Sequence, residues 1–280
     1  MQNCVRRCCV WRGMFANVFC PSIRRVHSAT INPENFAVFK SINDSEWMNA
    51  KSGSFKPLHA LNRLRVPWIV SYLQKSSATL SNEHGMNVLS GMTLLDVGCG
   101  SGLLTTALCR LGANVVGLDA NQNLIRFAEQ VAEKTLHNSR AGRIEFCCLP
   151  IEKYAAEHVG EFDSIIASEV LEHVLDVPNF IANCVRLAKP KSHLFFTTIN
   201  RTLLSRVLAI WMAEDLFSVV PKGVHKWENF LAPAELQSIL LENNCRMSRP
   251  LGMIYNPLIN SWSWNDCALV NYAVVGTRVT

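Results

Sequence analysis

No aspartate or glutamate precedes Glu34, yet the same stretch carries five arginines, Arg6, Arg7, Arg12, Arg24 and Arg25. Val5, Trp11, Met14, Phe15, Val18 and Phe19 are interspersed among them. No apolar run there is long enough for a secretory signal of ordinary design, whereas an acid-free, arginine-rich start is the character of a mitochondrial transit peptide or, more simply, of a basic arm. Residues 1–31 therefore read as a removable transit segment and residues 32–280 as the working domain. With those five arginines set aside, the 27 basic residues fall to 22, matching the 22 acidic ones. The net charge of +5 is thus confined to one end, and composition implies no nucleic-acid partner. Also missing is any CxxC pair among the 11 cysteines, or a histidine partner at zinc-finger spacing. Four of the cysteines (Cys4, Cys8, Cys9 and Cys20) fall in the transit segment; the other seven suit reduced thiols in a matrix or cytosolic setting. There is no internal period, which excludes a solenoid. What remains is an ordinary globular composition, 49% hydrophobic and 18% charged.

From Thr93 the chain alternates strand-like and helix-like stretches. Strands are expected at 93–97, 114–118, 144–149, 162–167 and 193–198, with helices at 103–111, 123–134 and 179–187 between some of them. Pro178 opens the last of these helices, and Gly112 stops the first. This rhythm predicts a mostly parallel sheet covered on both faces. After Thr198 it breaks. Residues 202–232 form an insertion, a helix is expected at 233–242, and 246–253 and 271–279 are candidate closing strands. Upstream, 46–72 reads as helical in parts, limited by Pro67, and supplies an N-terminal cover.

Asp96-x-Gly98-x-Gly100-x-Gly102 stands where the first strand meets the first helix. A tight turn that lets a ligand approach the backbone needs residues without a Cβ. Asp119 lies 21 residues beyond Gly98, at the end of the apolar run Val115-Val116-Gly117-Leu118. A carboxylate at the end of a second strand accepts hydrogen bonds from the ribose hydroxyls of an adenosine cofactor. Dinucleotide sites favour G-x-G-x-x-G; the G-x-G-x-G spacing here resembles the first motif of S-adenosylmethionine (SAM) methyltransferases.

Ser168-Glu169-Val170-Leu171-Glu172-His173-Val174 follows the fourth strand, at the edge where open parallel sheets bind ligands. If it opens a helical turn, Glu169, Glu172 and His173 stand at i, i+3 and i+4 on one face. Three readings are open: a divalent-cation site, a helix start with acids near the positive end of its dipole, and a general base at His173.

Over roughly 46–278 the chain resembles the ubiquinone-biosynthesis O-methyltransferase family. The resemblance is carried by Gly53-Ser54-Phe55-Lys56-Pro57-Leu58-His59, Leu61-Asn62-Arg63-Leu64-Arg65, the glycine motif, 169–174 and Thr198-Ile199-Asn200-Arg201-Thr202. It continues in Val220-Pro221-Lys222-Gly223, Pro233-Ala234-Glu235-Leu236, Tyr255-Asn256-Pro257 and Val270-Asn271-Tyr272. It departs at Gly223-Val224-His225-Lys226-Trp227, where an acid is expected before the tryptophan. The resemblance implies an α/β SAM-methyltransferase fold, Rossmann-like, with a seven-stranded mixed sheet of order 3-2-1-4-5-7-6 whose last strand is antiparallel. It implies SAM contacts at Arg65, Gly98, Asp119 and Ser168. It also implies a divalent cation such as Mg2+ held by Glu169, Glu172 and His173, which would then act in catalysis through the metal.

The substrates implied are polyprenylated catechols and quinols, and the setting is the matrix side of the mitochondrial inner membrane, as a peripheral protein among other ubiquinone-biosynthesis proteins. In the insertion, Leu203, Leu204, Val207, Leu208, Trp211 and Met212 recur at helical spacing, interrupted by Arg206, Glu214 and Asp215. That run is too short and too charged to span a bilayer; it suits the membrane interface or a lid over the substrate. Two alternatives share the same fold: a SAM-dependent C- or N-methyltransferase of another small molecule, and a non-catalytic scaffold subunit.

Overall fold

The protein is described as a computed structural model, covering residues 30–33, 36–37, 56–76, 87–136, 142–207 and 227–279. The transit-peptide reading, the start of the N-terminal cover before Lys56 and residues 208–226 of the insertion lie outside these residues.

Nine strands build one sheet: β1 (Thr93–Val97), β2 (Asn114–Asp119), β3 (Ile144–Cys148), β4 (Phe162–Ser168), β5 (Ala188–Ile199), β6 (Cys245–Met247), β7 (Leu251–Asn256), β8 (Ser261–Asn265) and β9 (Asn271–Arg278). Their order is β3-β2-β1-β4-β5-β9-β7-β8, with β6 also on β9. The first five are parallel, and β9 enters antiparallel between β5 and β7. This is the expected topology with two differences. The closing strand read at 246–253 is split: β6 pairs the far end of β9 and β7 the near end, with Ser248-Arg249-Pro250 between. Proline has no N–H to give to a ladder, so a strand breaks beside it. Ser248 repairs the gap, its N–H donating to the Val275 carbonyl and its Oγ accepting from Val275 N. The second difference is β8, an added edge strand paired antiparallel to β7.

Among the described residues, the helices α1 (Lys56–Ser76), α2 (Leu103–Arg110), α3 (Gln122–Leu136), α4 (Ile151–Glu157), α5 (Val177–Leu187) and α6 (Pro233–Glu242) cover the sheet. Successive strand residues point to opposite faces, and the two cores follow that alternation. Leu94, Val115, Ile166, Phe195 and Val275 pack under α1 and α2, while Leu95, Val116, Ile165, Phe196 and Val274 pack under α4, α5 and α6. Each such buried side chain contributes about 1.5–3 kcal/mol by leaving water. α1 runs straight through Pro67, against the expectation that this proline limits it. Proline removes one helical hydrogen bond, which burial of Trp68, Ile69 and Leu73 and the T-shaped Trp68–Phe195 contact offset. α5 opens as the proline suggested, with Asp176 Oδ1 accepting from Asn179 N at 3.1 Å. α4 had no counterpart in the sequence reading.

Candidate functional site

The carboxyl ends of β1, β2, β4 and β5 form one edge, and every candidate site residue except Arg65 is at a strand end or the turn that follows it. At the β1 end, Gly98, Gly100 and Gly102 all take left-handed φ values, of 70°, 54° and 72°. Side chains rarely adopt that conformation. At Gly98 there is a second reason: a Cβ would come within 2.4 Å of Val170 Cγ2, so the turn is pressed against the segment that follows β4. At Gly100 a Cβ would meet nothing within 4 Å, and the turn faces open space. Asp119, at the end of β2, is held by backbone alone: Gly100 N donates to Oδ2 at 3.0 Å and Asn121 N to Oδ1 at 2.8 Å. Each carboxylate oxygen keeps a further lone pair for a ligand hydroxyl. Asp96 lies beneath, buried, accepting from Thr105 Oγ1 at 2.6 Å; burial pushes its pKa up to about 6.

At the β4 and β5 ends the construction changes to side chains. Arg65 reaches in from α1, buried, with Nε donating to Asn62 Oδ1 at 2.7 Å and a terminal nitrogen donating to Ser168 Oγ at 2.6 Å. Ser168 Oγ lies 2.6 Å from Thr197 Oγ1, which donates to Glu169 Oε1 at 2.7 Å. A hydroxyl has one hydrogen to give. Thr197 spends it on Glu169, so the Ser168 hydroxyl donates to Thr197 and itself accepts from Arg65. The chain of donors therefore runs one way, from the guanidinium to the carboxylate. Thr198, the next residue of β5, donates from Oγ1 to Glu172 Oε2 at 2.8 Å. Neighbouring strand residues point to opposite faces, so the two glutamates are gripped from the two sides of the sheet.

Glu169 does not begin a helix. Its φ is 57°, its N–H donates to the Thr197 carbonyl, and only Leu171–His173 form a short 3-10 turn. The expected single helical face for Glu169, Glu172 and His173 is therefore not formed; a left-handed reversal at Glu169 replaces it. Burial first, and then the charge of Glu169, pushes Glu172 up to about 8. Burial also raises Glu169, against the pull of Thr197 and Arg65, and raises Asp119 against its backbone donors. Four carboxylates along this edge thus hold their protons more tightly than in water, and Arg65 is the cation that acts on two of them, Asp96 and Glu169. Such a surface favours a ligand of positive charge. Two oxygen donors that repel each other suit a divalent cation in their chemistry. Among the described residues, however, no group of three metal-type side chains is assembled, and His173 is not gathered with the glutamate pair.

A family model described as a methyltransferase domain matches residues 95–196, which span β1 to β5. The chain is 38% identical to the mitochondrial ubiquinone biosynthesis O-methyltransferase of Rattus norvegicus over 99% of its length and 76% of the relative's. It is 35% identical to the ubiquinone biosynthesis O-methyltransferase of Bradyrhizobium sp. (strain ORS 278), over 91% of this chain and 97% of that one. The chain belongs to the ubiquinone biosynthesis O-methyltransferase family. It is a SAM-dependent O-methyltransferase. The fold agrees: the magnesium protoporphyrin IX methyltransferase from Synechocystis PCC 6803, solved with bound SAH, superposes with a TM-score of 0.59 at 21% identity, over 86% of this chain and 96% of that one.

Within this family member, the edge brings together Gly98, Asp119, Ser168 and Arg65, the four residues expected to contact SAM. Four others at the edge were not among the expected site residues: Asn62, Thr105, Thr197 and Thr198. Asn62 had a local signal, since it sits one helical turn before Arg65. The threonines had none, because their partners lie on other strands or turns.

Proposed function

We propose that the chain methylates a catechol hydroxyl of polyprenylated benzoate and demethyl-ubiquinol intermediates in ubiquinone synthesis, with a divalent cation drawn to Glu169 and Glu172, while His173, the third expected ligand, would have to move to join them. The observation that carries this reading is the geometry of one sheet edge, where Asp119 is held by backbone donors beside an open glycine turn and Glu169 and Glu172 are held by Thr197 and Thr198. SAM would supply an electrophilic methyl on a cationic sulfonium. Asp119 holds two fixed lone pairs toward the ribose, Gly100 leaves the approach clear, and Arg65 with Ser168 closes the other side. A bound cation would lower the pKa of the acceptor hydroxyl and orient its oxygen. The donor chain that ends on Glu169 opposes the upward push of burial on that carboxyl, and Glu172 is poised to lose a proton when positive charge arrives. The family name supports the pathway, and mitochondrial relatives support import of the chain through residues 1–31.

Peripheral attachment to the matrix face of the inner membrane, among other enzymes of the pathway, suits a polyprenylated substrate. The apolar spacing at 202–220 supplies one contact for it. No helix among the described residues is long and apolar enough to cross a membrane.

The test is methyl transfer from SAM to a catechol acceptor by the full chain, before and after chelation. Activity should disappear with chelator and return with magnesium. Full activity after exhaustive chelation, with trace metal excluded by elemental analysis, would remove the cation from the mechanism.

A further inference from the structure

The β7–β8 ribbon is longer than the sheet it joins. Pairing of β7 with β9 ends at Met253 opposite Asn271, and Asn271 in turn pairs Ile199, the last residue of β5. Pairing of β7 with β8 continues past that level to Asn256 opposite Ser261. Ile254 to Ser263 therefore project beyond the carboxyl edge of the sheet, on the side where Ser168 and Glu169 stand. At the tip Leu258 is 93% exposed and Ile259 72% exposed. Turns are ordinarily built from small and polar residues, so two large aliphatic side chains facing water at a turn have no folding reason.

The tip is also held in shape. Leu258 N donates to Asn256 Oδ1 at 3.0 Å, and the Tyr255 hydroxyl donates to Asn260 Oδ1 at 3.1 Å. Arg63, exposed on α1, donates to the Asn260 carbonyl at 3.4 Å and so places a cation beside the aliphatic pair. The ribbon from Leu251 to Asn265 contains no charged residue, and α1 behind it contains no acid. α1 and β8 are packed together, with Trp262 Nε1 donating to the Pro57 carbonyl at 2.9 Å.

We propose that this tip is a lipid-docking device: Leu258 and Ile259 enter the acyl boundary of an anionic membrane while Arg63 meets the phosphates. The occupant is a bilayer because the feature is convex and narrow, with an apolar point, an uncharged shaft and a basic collar. That is the order of chemistry met on entering a membrane surface from its interior outward. A groove-bound peptide or a flat protein partner would ask for a concave or broad face. The docked tip would set the catalytic edge toward the lipid, from which an apolar substrate arrives. Leu203, 74% exposed, leaves the same edge just after β5. The proposal deepens the membrane part of the proposed function and is independent of its chemistry.

The test is flotation of the full chain with vesicles of phosphatidylcholine alone and of equal parts phosphatidylcholine and phosphatidylserine. Changing both tip residues, Leu258→Asn with Ile259→Asn, should lower partitioning about tenfold or more, because two aliphatic side chains no longer leave water. SAM affinity should stay unchanged, which shows that the variant is folded. Arg63→Gln should lower binding to the anionic vesicles and leave binding to the neutral ones alone. A tip variant that floats like the parent, or a parent that does not float, overturns the proposal. So does a parent that self-associates or captures a protein through the tip without binding vesicles. A parallel variant, Trp211→Ser with Phe217→Ser, separates the two membrane contacts: flotation lost there and kept in the tip variant leaves only the insertion as the anchor.

Discussion

Two ends of one sheet edge are built by different means. At the glycine-turn end, where SAM contacts are expected, Asp119 is fixed by the backbone N–H groups of Gly100 and Asn121. At the acid end, Glu169 and Glu172 are fixed by the hydroxyls of Thr197 and Thr198, which come from a neighbouring strand. Backbone donors are part of the fold and cannot be lost by substitution short of distorting the turn. Side-chain donors can be removed one at a time. The glycine-turn end is thus set by the fold itself, and the acid end by side chains that single substitutions can reach. Arg65 and Ser168 join the two, since the donor chain that ends on Glu169 begins beside Asp96.

The largest effect that would break this division is expected at Glu172. Replacing it by alanine should lower kcat by about a hundredfold or more, since even residues that only support a metal ligand are worth 10–100-fold. SAM affinity measured by calorimetry should stay within a small factor of the parent's. Equal losses in both would mean that the acids serve the cofactor and that the two ends are one site.

Asp119→Ala should do the converse. Loss of a charge-assisted partner worth about 1.5–3 kcal/mol weakens SAM binding by roughly 10–150-fold. Unchanged affinity in a folded variant would remove the cofactor assignment from the β2 end.

Thr197→Val and Thr198→Val sharpen the comparison. Thr197 accepts from Ser168 and donates to Glu169, so its loss should weaken SAM binding and turnover together, each by about 1 kcal/mol, or roughly fivefold. Thr198 touches only Glu172, so its loss should reach turnover alone, and serine at either position should restore the parent's values. Identical profiles for the two valine variants would show that the donor chain does not connect the ends.

A further effect concerns stability and pH in the presence of chelator. The folded protein holds the Glu172 proton up to about pH 8, whereas an unfolded chain releases it near 4.3. The native state binds more protons than the unfolded state across that window, so this group's contribution to stability falls as pH rises from about 4.3 through about 8. Glu172→Gln, which stays neutral, should lose less in melting temperature than the parent over that rise, by about 2–4 °C for each kcal/mol relieved. Parallel curves for parent and variant would place the Glu172 charge in water.

How much of this could be read beforehand follows from the same contrast. β1, β2 and the glycine turn are contiguous, and Asp119 closes the unit 21 residues beyond Gly98. Their requirements are local ones of φ and of Cβ clearance, and they leave a spacing in the chain. The acid pair leaves a spacing too, but a misleading one. Positions 169, 172 and 173 suggest one helical face, and the left-handed backbone at Glu169 undoes it. The ribbon tip was recognisable only as the string Tyr255-Asn256-Pro257, with no hint that β8 would pair there and carry Leu258 past the sheet.

Sequence by itself therefore determined the αβ rhythm, the glycine turn with its acidic partner, and the family. Those depend on periodicity and backbone conformation within short stretches. Tertiary structure decided which hydroxyl meets which glutamate, that α1 would pass through Pro67, and that the β7–β8 ribbon would overrun the edge. Ser168 opposite Thr197 is a matter of strand register across 29 residues, set by how two cores pack on the sheet. No local preference of the residues themselves encodes that register, because only packing of the whole sheet makes one pairing lower in free energy than its neighbours.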